Sequence, residues 1–437
     1  MSGPSQAWLA QRGRSLQGTV RVPGDKSVSH RAVMLGALAD GVTDVHGFLE
    51  GEDTRATARA FAAMGVRIDA PTDGHRVIHG AGLHGLHAPD APIDCGNAGT
   101  GMRLLAGVLA GQRFDSTLIG DASLSRRPMR RVTDPLAMMG ARIESRDGLP
   151  PLQVHGGHAL QGIDIDLAVA SAQVKSAILL AGLYARGATT VREPHPTRDY
   201  TERMLAAFGW PIEFAPGFAR IEGGHRLRAA RIDVPADFSS AAFPMVAACI
   251  VPGSDITIEA VGVNPRRTGL LHALRAMGAD ITLEREGMRG GEPVADIRVR
   301  HAPLHGIDVD TAWVPDMIDE FPALFVAAAC AQGATVVRGA AELRVKESDR
   351  IAAMARGLQS LGVVVDEAPD GATIIGGPIR GGAIDSEGDH RIAMSFALAA
   401  QVADGTVRID DVANVATSFP GFDTLMRELG AGIEAAI

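Results

Sequence analysis

AFAAMGVRI at residues 60–68, LAMMGARI at 136–143, MLAAFGWPI at 204–212, LRAMGADI at 274–281, LQSLGVVV at 358–365 and LMRELGAGI at 425–433 are one phrase written six times. Each reads as the last turns of a helix, a bulky apolar residue, a glycine and then strand-forming residues. The glycine fits a left-handed helix C-cap, and the β-branched residues beyond it favour a strand. Copies recur at roughly 70 residues, the period of a repeated supersecondary unit.

Upstream of each copy lies a second, Ala-rich apolar helix opened by a polar or glycine-containing turn. The openings read GDKSVSHR (24–31), GNAGTGMR (96–103), SAQVKSA (171–177), DFSSAAF (237–243), MIDEFPA (317–323) and EGDHRIA (387–393). After that helix come a glycine turn and a strand, as in GATTVREP (187–194) and GATVVRGA (333–340). Each unit is therefore helix–strand–helix–strand with a further hairpin, an α/β pattern with short loops. Six units divide into two lobes of three: residues 23–238, and residues 239–437 together with 1–22, which supply the strand GTVRVPG. Crossings near Pro23 and Phe238 would form a two-strand hinge. One large doubly wound sheet is the alternative, and the regular period argues against it.

A chain of 437 residues exceeds one ordinary core, in keeping with two lobes. Its net charge of −9 argues against a nucleic-acid or acidic-membrane binder, so any bound anion needs a local basic pocket. Cys95, Cys249 and Cys330 leave one thiol over in any disulfide scheme and lack metal-ligand spacing, as expected of a reduced cytoplasmic chain. The first twenty residues lack a signal-peptide run, and the longest apolar windows, such as FPALFVAAACA (321–331), have the length of a buried helix.

Charged and hydroxyl side chains gather at the starts of the apolar helices. Helix N-termini present unpaired N–H groups and partial positive charge, so a cleft lined by several of them suits a polyanionic substrate. Lys26, Ser27 and Arg31 share the first opening, and Arg103 follows GNAGTG. Arg126 and Arg127 lie in GDASLSRRPMRR, Lys346 and Arg350 in LRVKESDR, and His390 and Arg391 in GDHR. Each has a plainer reading. Lys26 and Arg31 suit a solvated first turn, Arg130 and Arg131 a solvated helix face, and His390 a satisfied helix start. Arg350, four residues after Lys346 and beside Asp349, suits a surface ion-pair ladder. GNAGTG is not a Walker loop, since no GK[ST] follows. Recurrence across the units favours an anion site.

PGDKSVSHRA, GNAGTGMR, GDASLSRRPM, SAQVKSA, LRVKESDR and DHRIAMSF together resemble the enolpyruvyl transferase family, in its shikimate-pathway branch, from about Gly18 to Gly432. The resemblance implies two inside-out α/β lobes, each of three βαβαββ repeats, and transfer of the enolpyruvyl group of phosphoenolpyruvate to shikimate-3-phosphate. It implies that Lys26, Ser27, Arg31, Ser171, Ala172, Gln173, Arg198, Asp319 and Lys346 bind shikimate-3-phosphate. Gly99, Arg127, Arg350 and Arg391, with Lys26, match phosphoenolpyruvate positions. Asp319 and Glu347 match the catalytic carboxylates, with Lys26 the fallback base. The family often has a serine where Ala172 stands, and many members a lysine at Thr417. These departures, with GDKS and MIDE, suggest the branch that includes inhibitor-tolerant members, some of which carry alanine in place of Gly99. Asp316 is the alternative to Asp319 in a gapped alignment. Asp319 is preferred because it opens the apolar helix.

The resemblance also implies a monomer acting on small molecules, with no metal, organic cofactor, nucleic acid or membrane. Three rivals remain. The sister transferase acting on UDP-N-acetylglucosamine carries a cysteine acid in the loop matching GDASLSRRPM, and none occurs here. An RNA-end binder on a similar scaffold is disfavoured by acidic charge and few aromatics. A non-catalytic binding module would be expected to have lost Asp319 or Glu347.

Overall fold

The computed structural model describes residues 6–436. In it, twelve α-helices alternate between a buried and a half-exposed position. In chain order they are α1 (Lys26–Leu38), α2 (Glu52–Ala63), α3 (Gly99–Ala110), α4 (Arg130–Met138), α5 (Ala172–Gly182), α6 (Tyr200–Ala207), α7 (Phe238–Ile250), α8 (Gly269–Ala276), α9 (Phe321–Cys330), α10 (Arg350–Ser360), α11 (His390–Ala399) and α12 (Phe422–Leu429). The odd-numbered helices are the more fully buried ones. Every residue of α7 is buried, as is α1 from Val28 onward. A helix apolar on all sides can be satisfied only inside a core. The even-numbered helices are amphipathic: α12 buries Phe422, Met426 and Leu429, spaced to share one face. Each such side chain contributes about 1.5–3 kcal/mol when fully buried.

The glycine closing each of the six phrases, at 65, 140, 209, 278, 362 and 430, has positive φ between 77° and 121°. That backbone is open to glycine and strained for other residues, so the residue that marks the repeat also turns the chain from even-numbered helix to strand.

Sheets lie outside the buried helices, five of four strands and one of three among the described residues. In the third repeat, Asp164–Asp166 runs parallel to Ala188–Arg192, which pairs antiparallel with Phe218–Glu222, itself antiparallel to Ile212–Ala215. A parallel edge strand followed by antiparallel partners recurs through the other sheets. In the three-stranded one that edge shrinks to bridges at His305–Gln332 and Asp308–Val336. Three sheets are completed by distant chain. Arg231–Asp233 supplies the parallel edge of the first repeat's sheet, beside Asp40–His46. Trp8–Gln11, a strand not foreseen from the sequence, is central in the last repeat's sheet, between Asp404–Asp410 and Gly432–Ala435. The expected strand after Gly18 appears as Gln17–Val20, parallel to Asp255–Ile258.

Two compact units result, residues 24–234 with 288–292, and residues 6–23, 235–287 and 293–436. The chain passes between them after Pro23 and after Val234, ahead of the Phe238 boundary expected from sequence. The segment 288–292 also departs from the expected division. It belongs with the first unit, where Arg203 donates to Gly291 O (3.2 Å) and faces the Glu292 carboxylate (3.7 Å). No helix among the described residues is long and apolar enough to cross a membrane.

Candidate active site

In the first unit, Asp25 caps α1 by accepting from Val28 N (2.9 Å) and also accepts from the Tyr200 hydroxyl (2.9 Å). Lys26, in the first turn, pairs with Asp53 of α2 at 2.8 Å. Arg31, one turn on, is buried, and its partners are neutral. Nε donates to Thr201 Oγ1 (2.7 Å), Nη1 to Ser27 O (2.9 Å) and Nη2 to Ser176 Oγ (2.8 Å). Burial chiefly, against the pull of Glu202, Asp25 and Tyr200 and helped by nearby Arg198, lowers its pKa to about 10. A buried cation without a carboxylate in contact is suited to receive an anion. Arg31 is therefore no solvated first-turn residue.

Ser171 caps α5 through Val174 N (3.4 Å), placing Ala172 and Gln173 in its first turn. Gln173 reaches across to α3, where Oε1 accepts from Arg103 Nη1 (2.6 Å) and Nε2 donates to Thr100 Oγ1 (2.9 Å). Gly99 opens α3. A methyl group built there would lie 3.0 Å from Arg127 Nη1 and 3.3 Å from Arg103 Nη1. Arg127 is held by Asn97, whose Oδ1 accepts from Nη2 at 2.8 Å, and by Ser123 Oγ at 3.2 Å. Arg126, Arg130 and Arg131 are exposed, as the solvated-face reading of the last two expected.

Beneath this surface lies a group that the sequence reading passed over. Lys175 is 2% exposed and pairs with Glu193 (2.7 Å) and Glu202 (2.8 Å). Burial alone would lower its pKa, yet Glu202 and Glu193 hold it above its ordinary value. Glu193 also accepts from Ser171 N (3.2 Å) and Thr197 Oγ1 (2.6 Å), tying the α5 start to the loop before Arg198.

The second unit gathers the carboxylates. Asp319 sits just ahead of α9, with Oδ1 3.6 Å from Lys346 Nζ and 3.5 Å from Arg350 Nη1, and Oδ2 4.0 Å from Arg267 Nη1. Glu347 Oε2 accepts from Arg350 Nη2 at 2.7 Å. Arg391 donates to the Asp319 carbonyl at 2.9 Å. Arg350 is buried, which excludes the surface-ladder reading. Its Nε donates to Asp389 at 2.8 Å, and its Nη1 makes no hydrogen bond among the described residues. Burial would depress its pKa, but Asp389, Glu347 and Asp319 hold it well above the usual arginine range. Asp389 caps α11 through Arg391 N (2.9 Å) and accepts from Ser348 Oγ (3.1 Å), so one carboxylate locks the starts of α10 and α11 together.

Asp316, the alternative carboxylate, is buried in a short 3₁₀ turn and faces Arg266 at 3.4 Å. Arg267 escaped the sequence reading. It reaches Asp237 (3.1 Å), Ser239 Oγ (2.5 Å) and Asp319, while Ser239 donates to Glu320. A signal existed: like Arg127, Arg198 and Lys346, it lies in a loop before an even-numbered helix. Thr417 spends its hydroxyl on Asn414 O (2.7 Å). Cys95 is buried, and burial chiefly, with Asp94, pushes its pKa up to about 12, as suits a packing residue.

Six repeated α/β units, with guanidinium, ammonium and carboxylate groups at the starts of their helices, define the class of fold to which this chain belongs. The family model for EPSP synthase (3-phosphoshikimate 1-carboxyvinyltransferase) matches residues 10–426, and the chain belongs to that family. A 3-phosphoshikimate 1-carboxyvinyltransferase of Xanthomonas campestris pv. campestris (strain B100) is 69% identical over 436 residues, covering all of both chains. The protein of that name from Xanthomonas oryzae pv. oryzae (strain PXO99A) is 68% identical over 437 residues, covering 100% of this chain and 99% of its own. The solved EPSP synthase of Acinetobacter baumannii is similar with a TM-score of 0.90 and 51% identity, over 99% of this chain and 100% of its own.

Proposed function

We propose that this chain transfers the enolpyruvyl group of phosphoenolpyruvate to the 5-hydroxyl of shikimate-3-phosphate and releases phosphate, acting as a monomer in the cytoplasm. The observation that carries the residue assignment is the pairing of two carboxylates, Asp319 and Glu347, with Lys346 and Arg350, beside Arg391 on the Asp319 carbonyl. Asp319 takes the proton of the attacking hydroxyl as its oxygen bonds to C2 of phosphoenolpyruvate, and protonated Glu347 delivers a proton to C3. Glu347 then recovers a proton from C3 as the C2–O bond to phosphate breaks, leaving the enol ether, and the proton held by Asp319 leaves with the phosphate. Arg127, Arg350 and Arg391 bind the carboxylate and phosphate of phosphoenolpyruvate, where bidentate guanidinium contacts stabilise shifting charge. Lys26, Ser27, Arg31, the α5 start at Ser171–Gln173, Arg198 and Lys346 hold shikimate-3-phosphate.

Phosphate release from purified protein tests this, with phosphoenolpyruvate fixed and the acceptor varied. Release that requires shikimate-3-phosphate is expected. Release with UDP-N-acetylglucosamine alone would overturn the acceptor assignment, and silence with both would favour a binding module.

Gly99 gives a second expectation. Its backbone is not in the left-handed region, so alanine is tolerated locally, but the methyl must displace the Arg127 guanidinium by a few tenths of an ångström. Weakening one charge-assisted hydrogen bond by ~1 kcal/mol raises the KM for phosphoenolpyruvate about fivefold. The Gly99→Ala variant should lose sensitivity to glyphosate, the family inhibitor of the phosphoenolpyruvate site, by a larger factor than its KM rises. Unchanged inhibition would contradict the crowding argument.

A further inference from the structure

The sheet of the first repeat carries a cluster that the transferase chemistry leaves unused. Asp40–His46 pairs antiparallel with His75–Ala81, in a register that sets His46 directly opposite His75. Side chains alternate along a strand, so Asp44, two residues before His46, shares its face. The two imidazoles stack with centroids 4.4 Å apart and planes 16° apart. Both turn Nε2 toward one carboxylate, His46 to Asp44 Oδ2 at 2.9 Å and His75 to Asp44 Oδ1 at 2.6 Å. The three donor atoms lie within 4.8 Å of one another, and no other such group of three occurs among the described residues.

We propose that Asp44, His46 and His75 form a binding site for a borderline divalent transition-metal ion of the zinc class. Two imidazole nitrogens and one carboxylate oxygen make a donor set suited to zinc, cobalt, nickel or copper, whereas magnesium and calcium prefer all-oxygen sites. Three protein ligands leave a fourth position for water. All three side chains are partly exposed, so an ion and its water can enter. The ion takes the place of the two N–H donors now shared by Asp44. Each neutral imidazole then carries its single proton on Nδ1, by a change of tautomer, and offers the Nε2 lone pair. A second carboxylate flanks the row: Asp233 stands opposite His46 on the neighbouring parallel strand, facing Arg231 at 3.3 Å. Arg231, level with Asp44, is the opposing charge, and it is turned toward Asp233 rather than the histidines.

The test uses full-length protein, free of any polyhistidine tag and stripped with chelator. Zinc titration by calorimetry should give one saturable site, and zinc should raise the melting temperature. His46→Ala and His75→Ala, both surface changes, should each weaken zinc binding at least about tenfold and abolish the thermal shift, with chelated melting temperatures near the parent's. Cobalt(II) should bind with a visible absorption spectrum that excess magnesium does not remove. No saturable zinc binding, or binding unchanged in both variants, would overturn the proposal.

Discussion

Glu347→Gln lowers kcat for phosphate release by roughly 10²–10⁴-fold, the usual contribution of a positioned general acid–base, and leaves shikimate-3-phosphate binding nearly unchanged. The amide keeps the shape of the side chain and can still accept the Arg350 Nη2 hydrogen bond, so the cluster stays assembled. It cannot carry a proton to and from C3. The split between kcat and binding is the diagnostic, read by single-turnover phosphate release beside calorimetric titration with shikimate-3-phosphate. Turnover within a few-fold of the parent would remove Glu347 from the proton path. A parallel loss of binding and turnover would make it a structural partner of Arg350 instead.

The second large effect is on stability. Lys175→Met leaves Glu193 and Glu202 facing each other in a buried site without their cation. Breaking a buried pair in this way costs about 3–5 kcal/mol. Burial already raises the Glu202 pKa, against the lowering pull of Lys175. Removing Lys175 removes that pull, so the folded-state pKa rises further above the unfolded value. A group shifted in that direction stabilises the fold below its unfolded pKa and loses the contribution as pH rises through the folded pKa. The deficit of the variant should therefore be largest at neutral pH and shrink toward pH 5, seen by denaturant titration at several pH values. The KM for shikimate-3-phosphate should rise as well, because Glu193 positions Ser171 and the loop before Arg198. A deficit independent of pH would show that lost packing, not orphaned charge, dominates.

The repeat was legible because it is local. A glycine at C′ and β-branched residues beyond it fix a helix end and a strand start within a few residues, and six copies made a weak signal strong. The helix start just after Asp319 was legible for a similar reason, since the apolar run beginning at Phe321 marks it. Trp8–Gln11 was not legible. A four-residue strand alternating buried and exposed is ambiguous until Asp404–Asp410 and Gly432–Ala435 present edges for it. The burial of Arg350 was not legible, because its decisive partner, Asp389, lies 39 residues away.

The sequence by itself determined the unit, its sixfold recurrence, the two-lobe division in outline and the residue types at each helix start. Those follow from backbone propensity, periodicity and capping, which act over one or two turns. Only the tertiary structure decided which charges meet: Lys175 with Glu193 and Glu202, Arg350 with Asp389 and Asp319, Asp44 with His46 and His75. Coulomb and hydrogen-bond energies depend on separations of a few ångströms and on exclusion of water. Both quantities are set by how distant segments pack.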